Sequence, residues 1–191
     1  MDRLRTPVHS PTMRTILPVV LIAALAVPGA ALANLPVGAK APAFSTQAAI
    51  GGKDMAFDLQ KALRKGPVVL YFYPKAFTQG CTLEAHAFAE ATPEFAKYGA
   101  TVVGMSADDL PTLRKFSKEG CRDKFAVGVA KPDIVKSYDV ALMRNGKAAG
   151  VTDRTSYVIA PNGRVAFVHS ELDYRDHVRL TLDAVKKLKR R

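Results

Sequence analysis

Val68-Val69-Leu70-Tyr71-Phe72-Tyr73-Pro74-Lys75-Ala76-Phe77-Thr78-Gln79-Gly80-Cys81-Thr82-Leu83-Glu84 contains three kinds of sequence in succession. The first is apolar at every position, which suits a strand covered on both faces. A proline and a short glycine-containing loop follow. Beyond the loop, Ala85, Phe88, Ala89, Phe95 and Ala96 recur at three- and four-residue spacing and predict a helix over residues 83–98. Cys81 therefore falls at or near the first turn of a helix, beside unpaired backbone N–H groups and the positive end of the helix dipole. Such a place favours the thiolate, the reactive form, and makes Cys81 a candidate nucleophile.

Outward from that junction, strands and helices alternate. Residues 100–106 read as a second buried strand, and Asp108-Asp109 supplies the cap of a helix from Leu110 to Glu119, with Pro111 in its first turn. A short strand at 125–129 and a short helix at 133–138 follow. Residues 156–160 and 165–168 make a hairpin around Pro161-Asn162-Gly163, and an amphipathic helix starts at Asp173 or Tyr174 and runs to Lys189. Gly51-Gly52 reads as a further hairpin turn. The pattern implies an α/β fold with a central mixed sheet flanked by helices. In such sheets the active site lies beyond the carboxyl ends of the strands, where the 74–81 loop falls.

The chain's two ends are of another kind. Arg3, Arg5 and Arg14 precede a run from Ile16 to Val27 that is almost wholly apolar, Pro28-Gly29 breaks it, and Ala31-Leu32-Ala33 fits a small-x-small cleavage pattern. About 12 apolar residues are too few to span a bilayer. We expect residues 1–33 to be a signal peptide cleaved after Ala33, residues 34–191 to form one domain, and the product to be periplasmic or secreted. Met13 is an alternative start. The mature chain would keep +9 of the net charge of +11. Its basic residues are dispersed, apart from Lys186-Lys187-Leu188-Lys189-Arg190-Arg191, and no aromatic-interleaved stripe accompanies them. That pattern disfavours a nucleic-acid partner.

Cys81 and Cys121 are the two cysteines. Neither Cys-x-x-Cys nor Cys/His zinc spacing occurs, and His86, His169 and His177 stand at no metal-ligand spacing; each reads as a surface or locally satisfied histidine. Neither a metal nor another cofactor is expected. Phe72, Phe77, Phe88, Tyr98 and Phe116 read as core or pocket wall. Around Cys81, Thr78 lies three residues before and can set a hydroxyl beside the sulfur, Pro74 directs the chain out of the strand, and Glu84 lies on the same helical face. Glu84 cannot stabilise a thiolate by charge, but it can orient an arginine that does.

Pro74-x-x-x-Thr78-x-x-Cys81 resembles the P-x-x-x-[TS]-x-x-C signature of peroxiredoxins, and residues 71–84 resemble their bacterioferritin-comigratory-protein, or PrxQ, branch. The likeness extends from Val37–Phe44 through Gly104–Asp108 to Arg154–Ile159. It implies a thioredoxin-like fold and a thiol-dependent peroxidase acting on hydrogen peroxide and organic hydroperoxides. Cys81 would be the peroxidatic cysteine. Arg154, before a late strand, would hold the peroxide together with Thr78, and Glu84 would position Arg154. Members of the branch often carry a second cysteine five residues after the first, where this chain has His86; others carry it in the next helix, as Cys121 is placed here. Cys121 is thus a candidate resolving residue, with a thioredoxin-like or other thiol reductant to recycle the disulfide. The branch is often monomeric, so a monomer or weak dimer is expected. Two other readings stay open: a one-cysteine peroxidase using an external thiol, and a non-catalytic envelope-binding protein stapled by Cys81–Cys121.

Overall fold

The computed structural model describes residues 34–189; the expected signal peptide and its cleavage point lie outside the described residues. In chain order the elements are β1 (Ser45–Ile50), β2 (Lys53–Asp58), α1 (Leu59–Leu63), β3 (Val68–Phe72), α2 (Gln79–Lys97), β4 (Thr101–Ser106), α3 (Leu110–Glu119), β5 (Ala126–Val129), α4 (Pro132–Ser137), β6 (Ala141–Arg144), β7 (Lys147–Thr152), β8 (Thr155–Ile159), β9 (Val165–Ser170) and α5 (His177–Lys189). Among the described residues, seven strands form one sheet in the order β2-β1-β5-β4-β3-β8-β9, and β6 and β7 form a separate hairpin. β3, β4 and β5 are mutually parallel, while β8, β9, β1 and β2 attach antiparallel. The sheet is mixed and carries helices on both faces, as expected.

The apolar run at β3 sits at the heart of that sheet. Successive strand residues point to opposite faces. Leu70 and Phe72 join a core with Met105, Ile134, Tyr138 and Tyr157. Val69, Tyr71 and Tyr73 join the other core, with Phe88 of α2, Phe116 of α3, Val185 of α5 and both cysteines. Tyr71 stacks on Phe88 with ring centroids 4.3 Å apart. It fits because its register partner in β4 is Gly104: a Cβ there would stand 2.9 Å from the Tyr71 phenol. Burying aromatic rings at native packing density supplies much of the folding free energy, on the order of 25 cal/mol per Å² of apolar surface.

The structure departs from the sequence reading at the starts of two helices and at a hairpin. α2 begins at Gln79, four residues before Leu83, because the loop ends in a capping geometry at Thr78 (φ −74°, ψ 150°). Cys81 is therefore the third residue of the helix, within its first turn. α5 begins at His177 rather than at Asp173 or Tyr174. The β6–β7 hairpin was not anticipated, since most of its residues are exposed and show no apolar alternation. Its turn signal was nonetheless present: Asn145 and Gly146 both have positive φ, 50° and 73°, which is the pattern that Asn-Gly hairpin turns adopt. Gly51 and Gly52 likewise turn the β1–β2 hairpin with φ of 57° and 77°.

Candidate active site

The site is assembled beyond the carboxyl ends of the parallel strands β3 and β4, with Thr152 at the end of β7 reaching it from the separate hairpin. Tyr73 extends β3 by one rung, its N–H donating to the Met105 carbonyl at 3.0 Å. Its own carbonyl accepts from the buried Thr152 hydroxyl at 2.6 Å. Pro74, half-buried, then turns the chain outward. Asp108 holds the loop from β4: its Oδ2 accepts from the Ala76 N–H and from the Ser106 hydroxyl, each at 2.8 Å. The sequence reading gave Asp108 and Asp109 one shared capping role. Only Asp109 caps α3, accepting from the Thr112 N–H at 2.9 Å. Phe77 takes a left-handed φ of 64°, uncommon for an aromatic residue, and its ring packs edge-on against Phe116 of α3 at 5.2 Å.

Thr78 occupies the cap position of α2, yet its exposed hydroxyl donates to the Lys75 carbonyl at 2.9 Å. Its hydrogen therefore goes to the loop rather than to the Cys81 sulfur. Cys81 itself is 2% exposed. Arg154, immediately before β8, reaches it with three of its donor directions assigned. Nη2 donates to Cys81 Sγ at 3.5 Å, Nη1 donates to Glu84 Oε2, and Nε donates to the Leu172 carbonyl at 2.8 Å. The structure thus brings together Cys81, Glu84 and Arg154 as the sequence reading placed them. Gly80 belongs to the same arrangement: a Cβ at that position would lie 3.3 Å from Arg154 Nη2, pressing on the guanidinium.

Charge explains why the trio stays together. Burial opposes the charge on Arg154, but the Glu84 carboxylate and the Cys81 sulfur outweigh it and hold the guanidinium above its ordinary range. Glu84 is wholly inaccessible. Burial pushes its carboxyl up to about 8, against the downward pull of Arg154. The second oxygen, Oε1, has no hydrogen-bond partner. It faces Nδ1 of His177 at 3.6 Å. His177 is fully buried rather than on the surface, and it is locally satisfied: Nδ1 meets the Ser156 hydroxyl at 2.7 Å and Nε2 meets the Glu171 carbonyl at 2.9 Å. Burial pushes its imidazole down to about 4.

Cys121 follows α3 and belongs to the same apolar cluster as Cys81. It is 0% exposed, and its N–H donates to the Phe116 carbonyl at 3.0 Å. Burial, reinforced by the Asp123 charge, raises its thiol. Arg122 and Asp123 then take left-handed φ values of 49° and 58° in succession. Both cysteines are free thiols. His86, five residues after Cys81, meets the Glu119 carbonyl at 3.3 Å and so touches the end of α3.

Sequence reasoning missed Asp108 as the anchor of the loop, Thr152 as the clamp on Tyr73, and the Ser156–His177 pair behind Glu84. Asp108 lies in a matched segment, so its place was visible without its role. His177 stands 93 residues beyond Glu84 and leaves no local signal. Among the described residues, no group of three His, Cys, Asp or Glu side chains could hold a metal ion, and no helix is long and apolar enough to cross a membrane.

Comparison with known proteins agrees with this geometry. The chain is similar to the chloroplastic peroxiredoxin Q of Oryza sativa subsp. japonica, 32% identical over 123 residues, which is 64% of this chain and 55% of that protein. The chain therefore spans about half the length of that relative. It is 31% identical over 122 residues to peroxiredoxin Bcp of Xanthomonas campestris pv. campestris, covering 62% of this chain and 76% of that one. The crystal structure of peroxidoxin BcpB from Mycobacterium tuberculosis superimposes with a TM-score of 0.70 at 30% identity, over 80% of this chain and 97% of that chain. The sequence profile of the AhpC/TSA family matches residues 37–168. That span runs from before β1 into β9 and includes Cys81, Glu84, Cys121 and Arg154, so this chain belongs to the AhpC/TSA family, among relatives named peroxiredoxin Q and Bcp.

Proposed function

We propose that this protein is a thiol-dependent peroxidase in which Cys81 is the peroxidatic residue. The observation that carries the reading is the contact of Arg154 Nη2 with Cys81 Sγ at 3.5 Å, in a buried site where Glu84 holds the same guanidinium. A cation donating to sulfur favours its ionised form and stands ready for the negative charge that develops on peroxide oxygen. The Cys81 thiolate attacks the distal oxygen of a hydroperoxide. An S–O bond forms, the O–O bond breaks, and the leaving oxygen takes a proton and departs as water or an alcohol. Sulfur is oxidised to the sulfenic acid and the peroxide is reduced. Thr78, its hydroxyl hydrogen committed to the Lys75 carbonyl, is suited to accept a hydrogen bond from the peroxide O–H.

Cys121 is the resolving residue in this reading. Its thiol condenses with the Cys81 sulfenic acid, forming the S–S bond and releasing water, and a thioredoxin-like dithiol then reduces the disulfide. Two features support it. Both cysteines lie in one apolar cluster, and non-glycine residues with left-handed backbone stand near each, Phe77 four residues before Cys81 and Arg122-Asp123 directly after Cys121. Such residues store about 1–3 kcal/mol each and mark segments disposed to rearrange. Bridging needs Cα atoms within about 7 Å, and in this reading the first turn of α2 unwinds to let the sulfurs meet. We further propose that residues 1–33 direct export, which would place the enzyme where an envelope thiol donor must supply its electrons.

The test is peroxide consumption by the mature chain, wild type against Cys81→Ser, with a thiol donor. Wild type consumes peroxide and the variant does not. Activity retained by Cys81→Ser ends the proposal.

A further inference from the structure

The site's least explained atom is Glu84 Oε1. It is a carboxylate oxygen in a wholly buried side chain, with no donor, while its twin oxygen carries the Arg154 contact. Bare buried acceptors cost the full desolvation of the group and call for an explanation. The atom it faces is His177 Nδ1, 3.6 Å away.

The tautomer of His177 follows from its other contact. The Glu171 carbonyl at 2.9 Å can only accept, so Nε2 carries a hydrogen. In the neutral ring Nδ1 is then a lone pair, which the Ser156 hydroxyl meets at 2.7 Å. Without a further proton, Glu84 Oε1 and His177 Nδ1 confront each other as two acceptors. One added proton resolves the conflict once the Ser156 hydroxyl turns from donating to Nδ1, whose single lone pair then takes part in the contact with Oε1. A closing movement of less than 1 Å brings the atoms into hydrogen-bonding distance.

We propose that Glu84 and His177 share one proton at neutral pH, lying between Oε1 and Nδ1, and that His177 is thereby a positioning residue for peroxide reduction. With Oε1 tied to His177 and Oε2 to Arg154, the carboxyl is fixed at both ends, and the guanidinium keeps its aim at Cys81. This rests on the peroxidase reading above, but the proton itself is measurable without any turnover. The groups around the pair agree with one shared proton. Arg154, just before β8, favours the ionised Glu84 and disfavours a charged His177. His169 of β9, ring centroid 4.6 Å from that of His177, also disfavours the imidazolium, whereas Asp173 before α5 favours it and Asp176 stands close enough to feel both rings. Tyr71 of β3 lies near Glu84 as a buried neutral phenol. Because burial raises the Glu84 carboxyl, the proton is retained through neutral pH and leaves as pH rises through about 8.

The experiment has two arms. On the reduced wild-type protein, infrared difference spectra against Glu84→Gln and nitrogen-detected NMR of His177 locate the proton at pH 7. A protonated carboxyl assigned to Glu84, or a protonated Nδ1 on His177, is expected; absence of both overturns the proposal. The kinetic arm follows the rate of Cys81 sulfenic acid formation per thiolate from pH 6.5 to 9.5. Wild type should slow as pH rises through about 8. His177→Phe, which removes the partner of Oε1, should lose about tenfold at pH 7. His177→Asn sets an amide N–H where Nδ1 stands and should restore the rate without the pH dependence. A wild-type rate flat in pH, or an Asn variant that keeps the wild-type profile, refutes the role of His177 while leaving Cys81 chemistry untouched.

Discussion

Cys81 and Cys121 lie in one apolar cluster with almost the same burial, 2% and 0%, yet they are chemically unlike. Cys81 sits in the first turn of a 19-residue helix with a guanidinium on its sulfur. Cys121 sits past the last turn of α3 in an aromatic-rich cluster, where burial, and after it the Asp123 charge, raises its thiol. The difference teaches that two equally buried thiols can face opposite charges: a guanidinium at Cys81 and the Asp123 carboxylate at Cys121. In the proposed cycle it also divides the labour: Cys81 meets peroxide, and Cys121 waits.

The sharpest way to break that contrast is Cys121→Ser. The first reaction with peroxide should proceed at the wild-type rate, while steady turnover with a thioredoxin-type donor collapses and the Cys81 sulfenic acid accumulates; trapping that acid with a selective nucleophile during turnover checks this. Undiminished steady turnover would remove Cys121 from the cycle and favour an external thiol. Arg154→Lys comes next. A lysine keeps the charge but loses the planar fork that serves sulfur, Glu84 and the Leu172 carbonyl together, so stopped-flow sulfenic acid formation should slow by about 10²-fold. A variant within twofold of wild type would show that charge, not geometry, distinguishes the two cysteines.

Two further substitutions probe the frame that keeps the cysteines apart. Gly104→Ala drives a methyl group into the Tyr71 phenol, which stands 2.9 Å from the Cβ position, and should cost about 1–3 kcal/mol in urea denaturation. Thr152→Val leaves the Tyr73 carbonyl without its buried donor and should cost about 1 kcal/mol by the same measurement. It also releases the clamp between the β3 end and the strand that leads to Arg154. A measurable fall in peroxide rate should therefore accompany a small loss of stability.

Much of this was legible before any coordinates. The apolar run at β3, the periodic helix after Cys81 and the Asp109 cap each follow from local patterns, and the first two placed the thiol correctly. The start of α2 was read late, because residues 79–82 carry no apolar periodicity and the helix there is set by the loop that delivers it. The β6–β7 hairpin escaped for a related reason: exposed strands need no alternation. Asp108 illustrates another limit, since two adjacent aspartates look alike in sequence and one caps a helix while the other binds a loop 32 residues away.

By itself, the sequence determined which sulfur lies at a helix start, what kind of sheet carries it and which arginine and glutamate accompany it, because those are matters of local periodicity and of motif. Only the tertiary structure decided that Arg154 divides its donors among Cys81, Glu84 and Leu172, that Thr78 turns to Lys75, and that His177 closes on the far oxygen of Glu84. The contacts among Cys81, Glu84, Arg154 and His177 join residues 70 to 93 positions apart in the chain, and the chemistry of the site depends on distances of a few ångströms and on the exclusion of water, which packing alone sets.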